Sequence, residues 1–170
     1  MTRTDLDCAI GQITFARNYT QRLLDHTDPA EWFRQPTEGI THIAWQVGHL
    51  AMAEYRLALE RIRGRLPGDE QLISDEFLAL FGRDSTPTIP TDTSRYPSAE
   101  QIRAVFDRVH EQTLRELPGV DPATLAEPPT KPHMLAKTKL ASLLWCAQHE
   151  MVHAGQIGLL RRLLGHKPLW

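Results

Sequence analysis

Cysteine is scarce in this chain. Only Cys8 and Cys146 occur among 170 residues, both in apolar, helical-looking stretches. So few argue against a disulfide framework and suit a reducing compartment. An excess of one charge is lacking too. There are 19 basic and 21 acidic residues, the net charge is -2, and no long basic block stands out. Nothing therefore recommends nucleic acid as a partner. Long hydrophobic runs are missing. The longest, residues 140–147, is interrupted by Ser142 and falls far short of the ~20 residues that span a bilayer. The opening MTRTDLDCAIGQITF lacks the charged-then-apolar layout of a signal peptide. A soluble cytoplasmic protein with no membrane partner is expected. No segment alternates apolar and polar residues as a half-buried strand does.

What is present points to helices. The 170 residues suit one domain, 1–170, large enough to bury roughly 70% of its unfolded surface. Residues 5–25 carry Leu6, Ile10, Ile13 and Leu24 at near-helical spacing, without proline. Residues 41–63 place Ile43, Val47, Leu50, Leu57 and Ile62 on one side. Thr41 is the expected N-cap there, and Gly64 with Pro67 the stop. A short helix is expected over 74–81, with Asp75 and Glu76 in its first turn. Ser98 and Gln101 form a capping box that opens a helix at Ala99, which ends before Pro118. A last helix covers about 138–164, closed by Gly165 and Pro168. Four long helices in one small domain predict an all-α four-helix bundle. The connections 82–97 and 118–137 are long and rich in proline, as functional lids or mobile loops often are.

The last helix contains HEMVHAGQ, residues 149–156. Its first five residues match the HExxH pattern of zinc metalloproteases. His149 and His153 share a helix face one turn apart, a spacing at which two imidazoles hold one divalent cation. A protease needs a third ligand downstream. The glycine and histidine slots of one protease pattern hold Gln156 and Leu159, and no Asp or Glu follows Glu150. His166 lies past the helix stop. A third ligand is therefore expected upstream, on a different helix. His26, His42, His110 and His133 are available, but His49 is best placed. It lies in the apolar middle of its helix, and Gly48 beside it permits close approach.

Gly48-His49-Leu50 followed by His149-Glu150-x-x-His153-x-Gly155-Gln156 resembles the DinB-like metalloprotein superfamily. Tyr96-Pro97-Ser98 and Arg161-Arg162-Leu163-Leu164-Gly165-x-Lys167-Pro168 add to the likeness, which extends over 6–169. The resemblance implies a DinB-like four-helix bundle. It implies a divalent metal on His49, His149 and His153, and often a homodimer. Characterised relatives include transferases and isomerases that use low-molecular-weight thiols such as bacillithiol or mycothiol.

Three neutral histidines leave a cation's charge uncompensated and coordination positions open, a catalytic rather than a structural pattern. Such a cation acidifies bound water, giving a hydrolase, or a bound thiol, giving an S-transferase or isomerase. Both routes stay open, beside a non-enzymatic metal-binding or stress-related bundle. Zinc and nickel both accept imidazole. A small-molecule substrate is expected in either enzyme. Glu150 is a candidate general base, or else an ion-pair partner. Gln156 lies one turn beyond His153, and Cys146 one turn before His149. Cys146 reads as a fourth ligand or, more simply, a buried core residue. Met52 and Arg56 extend the His49 face, where Arg56 suits an anionic substrate or a salt bridge. Trp45 and Trp145 each precede a candidate ligand by one turn and by default pack in the core.

Overall fold

The computed structural model describes residues 1–87 and 93–169. Its helices are α1 (Arg3–Asp25), α2 (Ile43–Glu54), α3 (Asp69–Leu72), α4 (Asp75–Leu80), α5 (Ala99–Glu116) and α6 (Lys139–Leu163). No strand occurs among the described residues. The fold is the expected all-α bundle, with α1, α2, α5 and α6 as its long members.

Polar side chains set the helix limits. Thr2 accepts from the Asp5 N–H and Asp5 accepts in return, a capping box that starts α1. Ser98 and Gln101 do the same for α5, as their spacing predicts. Ser74 caps α4 and Thr138 caps α6. α2 differs from expectation. Its cap is His42 rather than Thr41: the His42 Nδ1 accepts from the Trp45 N–H at 3.0 Å. A neutral imidazole nitrogen is a competent acceptor. Burial keeps the ring neutral by pushing its pKa down to about 4.

α2 also continues beyond Glu54 through a π-helical segment, Tyr55–Glu60, and a final α turn, Arg61–Arg63. There the Arg61 N–H donates to the Arg56 carbonyl, the i to i−5 pattern. The wider turn shifts the helical phase of the residues after it. Apolar spacing alone reads through this stretch as ordinary helix.

α1 packs chiefly on α6 and α2 chiefly on α5, while α2 also meets α6. α2 is central, with every residue of Ile43–Glu54 buried. Leu6, Ile13, Leu24, Val47, Leu50, Leu57 and Ile62 all lie in the core. Burial of each such side chain contributes about 1.5–3 kcal/mol, the main drive for assembly.

One cation ties the four long helices together. Arg17 of α1 is completely buried. Its Nε donates to Glu150 Oε1 of α6 at 2.9 Å, and a terminal nitrogen donates to the Phe106 carbonyl of α5 at 2.7 Å. The other terminal nitrogen pairs with Glu54 of α2. His110 of α5 donates from Nδ1 to Glu54 at 2.9 Å. The guanidinium also lies 3.3 Å from the centre of the Phe106 ring. Burial opposes ionisation of Glu54, but Arg17 and His110 hold its carboxyl below the usual range. Burial, together with the Glu54 charge, pushes Glu150 up against the pull of Arg17.

The 118–137 connection is pinned to the end of α2. The Thr130 N–H donates to the Arg61 carbonyl at 2.9 Å, and Lys131 pairs with Glu60 at 2.6 Å. The 82–97 connection begins with a tight turn, Arg83–Ser85, and its residues 88–92 lie outside the described residues. Among the described residues, no helix is long and apolar enough to cross a membrane.

Candidate metal centre

α2 and α6 bring His49, His149 and His153 together. One ligand atom from each lies within 4.8 Å of the other two, a group able to hold a metal ion. The His149 Nε2 is 3.4 Å from the His49 Nε2 and 3.2 Å from the His153 Nε2. Nitrogens bound tetrahedrally at zinc distances of ~2.0–2.1 Å sit roughly 3.3–3.4 Å apart. The observed spacing fits one such cation.

Neighbouring residues aim these rings. A Cβ at position 48 would lie 2.4 Å from the Phe81 ring. Gly48 therefore lets Phe81, at the end of α4, lie directly on α2. The Phe81 carbonyl then accepts from the His49 Nδ1–H at 2.9 Å. On the other side, Gln46 Oε1 accepts from the His153 Nδ1–H at 2.5 Å. A carbonyl oxygen only accepts, so both rings carry their proton on Nδ1 and turn a bare Nε2 lone pair inward. Trp45 stacks on His49 at 4.6 Å between ring centres and donates its indole N–H to Ser85. His149 Nδ1 is buried and has no hydrogen-bond partner among the described residues.

All three rings are neutral near pH 7. Burial lowers the His49 pKa, and the Arg56 charge adds to the effect. Burial, with the facing His49 and His133, pushes His149 down to about 4. Burial, with His149 and His49, pushes His153 down to about 3, against the opposing pull of hydrogen bonding to Gln156. Neutral imidazoles with convergent lone pairs repel one another unless a cation lies between them. The donor set is thus ready for a metal without first losing protons.

A cavity of about 390 Å³ opens onto the three histidines. Trp45, Trp145, Met134 and Leu135 give it apolar walls, and Arg83, Thr86 and His133 give it polar ones. A second cavity of about 380 Å³ adjoins it past His153, with Gln46 and Gln156 on its wall.

The residues singled out in the sequence separate into two groups. Trp45, Trp145 and Gln156 border the cavities, and Arg56 lies within electrostatic reach of His49. Glu150 does not join them. It is 2% exposed and engaged with Arg17, because its position on α6 faces the bundle centre. Cys146 sits in the core on that same side, 3% exposed, with burial pushing its thiol well up. Met52 is a core residue. His42 caps α2, His110 pairs with Glu54 and His166 pairs with Glu31. Sequence reasoning missed Gln46 and Phe81. Gln46 carried one signal, being a glutamine among the apolar residues that open α2, one turn before His49. Phe81 acts through its backbone and carried none.

No curated protein shows significant similarity to the chain. The family model of the DinB superfamily matches residues 12–157. That span contains the three histidines and all four long helices in whole or large part. The chain therefore belongs to the DinB superfamily.

Proposed function

We propose that this protein is a metal-dependent enzyme of the thiol S-transferase or isomerase kind, using a low-molecular-weight thiol. The observation that carries the reading is the convergence of three neutral imidazoles on a cavity whose walls hold no carboxylate among the described residues. His49, His149 and His153 would hold zinc or nickel. The bound cation supplies Lewis acidity that favours the thiolate over the thiol. Phe81 and Gln46 fix the ligand tautomers, and the two tryptophans shield the site and offer flat apolar contacts to a small substrate. Hydrolysis is the alternative. It is less favoured because Glu150, the only carboxylate in the HExxH segment, is bound to Arg17 and leaves water without a carboxylate base among the described residues.

We further place a second copy of the chain on the outer faces of α1 and α6. Phe15, Val152 and Met151 are 66%, 55% and 37% exposed there and line one groove. A homodimer would cover them. The two unpaired cysteines suit the cytoplasm.

Turnover of an electrophilic aryl chloride by zinc- or nickel-loaded protein tests the catalytic reading. Chloride release that requires added thiol and disappears in His49→Ala supports it. Ester cleavage with water alone supports a hydrolase. Bound metal with no turnover on either panel supports a non-enzymatic bundle.

A further inference from the structure

Arg83, Thr86 and His133 give the metal-site cavity its polar lining beside the three histidines, and no Asp or Glu among the described residues lines it. Arg83 projects from the turn after α4. Among the described residues its guanidinium has neither an ion-pair nor a hydrogen-bond partner; only its backbone carbonyl is engaged, by Thr86. His133 approaches from the 118–137 connection. Its Nδ1 accepts from two backbone N–H groups, Leu135 at 3.3 Å and Ala136 at 3.1 Å. An acceptor nitrogen carries no proton in the neutral ring, so Nε2 bears it. His133 is therefore a fixed donor with its N–H directed away from its own loop. Arg61 and Lys137 act electrostatically on His133, and Arg56 acts on His49. These cations favour an anion near the two rings before any metal enters, and a bound divalent cation would add to the effect.

We propose that Arg83 and His133 form a carboxylate-binding subsite, so that the substrate or thiol taken by this site carries a carboxylate beside its reacting group. A guanidinium offers paired donors to a carboxylate, and the His133 N–H adds a third from the other connection that lines the cavity. Thr86 also lines the cavity, its hydroxyl donating to the Arg83 carbonyl at 3.3 Å. The apolar floor made by the two tryptophans then receives the carbon skeleton. This assignment rests on the metal-centred thiol reading above and names the class of molecule that reading leaves open.

Cobalt-loaded protein supplies the test, because thiolate binding to cobalt gives a charge-transfer absorption. We expect 3-mercaptopropionate to bind about tenfold more tightly than neutral 2-mercaptoethanol, the scale of one charge-assisted contact. Arg83→Gln and His133→Asn should each erase most of that advantage and leave 2-mercaptoethanol unchanged. Asparagine keeps an acceptor for the two loop amides while removing the Nε2–H. Equal affinity for the two thiols, or an advantage that survives both substitutions, overturns the subsite. If neither thiol perturbs the cobalt spectrum, the thiol reading fails and calorimetry with succinate decides the subsite alone. Succinate binding that Arg83→Gln removes keeps the subsite; absent binding, or binding that Arg83→Gln leaves intact, overturns it.

Discussion

Replacing Arg17 with leucine leaves Glu54 and Glu150 without their cation. Both carboxylates are almost wholly buried, at 1% and 2% exposure, so water cannot take over. Breaking a buried pair from one side typically costs about 3–5 kcal/mol. The loss falls at the upper end here, because Arg17 also donates to the Phe106 carbonyl and stacks on its ring. Against a whole-domain stability of roughly 5–15 kcal/mol, this is a large fraction. At about 2–4 °C per kcal/mol for a domain of this size, the midpoint should fall by roughly 10–15 °C. The deficit should depend on pH. In the variant, burial and mutual repulsion raise the carboxyl pKa values above their unfolded values. The folded state then binds more protons, and its stability falls as pH rises. The gap from the parent protein is thus wider at pH 7 than at pH 5. Replacing Glu54 and Glu150 by leucine as well should recover most of the loss, since no buried charge then stands alone. Thermal and urea unfolding followed by circular dichroism, on metal-free protein at both pH values, measures all three quantities. A loss under about 1 kcal/mol at pH 7, or one that grows toward pH 5, refutes the view of Arg17 as the tie of the bundle.

Gln46→Leu removes the acceptor of the His153 Nδ1–H and should weaken zinc binding by about 10–100-fold, with little change in unfolding midpoint; competition with a chromogenic chelator measures it. Gly48→Ala forces a methyl against the Phe81 ring, displacing the carbonyl that aims His49. Both stability and zinc affinity should fall, whereas the same change at Gly155, where nothing lies within 4 Å, should leave zinc affinity as it is. His42 and His149 are pushed down to about 4 and His153 to about 3. Each is below its unfolded value near 6.5, so the unfolded chain binds the extra protons as pH falls. Stability of the metal-free protein should be full above pH 6.5 and decline progressively from there to about pH 3. Zinc should raise stability at neutral pH and deepen that decline, because two of the three rings are then barred from taking up protons in the folded state; melting curves with and without zinc check the sign.

The helix plan is legible because its signals are local. Ser98 and Gln101 mark the start of α5, and Thr138 and Gly165 bracket α6. The site is legible in part for the same reason. His149 and His153 lie one turn apart on one helix, and Gly48 marks where another element approaches His49. The rest depends on partners distant in the chain. Arg17 continues the inward stripe of α1, one turn after Ile13, so its position already points to the core. A cation there reads as an interruption until Glu54 and Glu150 are known to face it. That pairing also decides the role of Glu150, which the HExxH spacing alone leaves open. The Phe81 carbonyl is a backbone group, and no residue type announces it. The π-helical turn after Glu54 obeys the same apolar pattern as an α-helix. His42 displaces Thr41 as a cap because its ring is buried and neutral, a property of the packed fold.

The central claim is that α2 and α6 hold one cation between them. Metal content by mass spectrometry, on untagged protein and on His49→Ala, tests it most directly. About one zinc or nickel per chain is expected in the parent protein, with loss of nearly all of it in the variant. Metal retained in full without His49 would contradict the cross-helix centre, and so would a parent protein that takes up none after reconstitution.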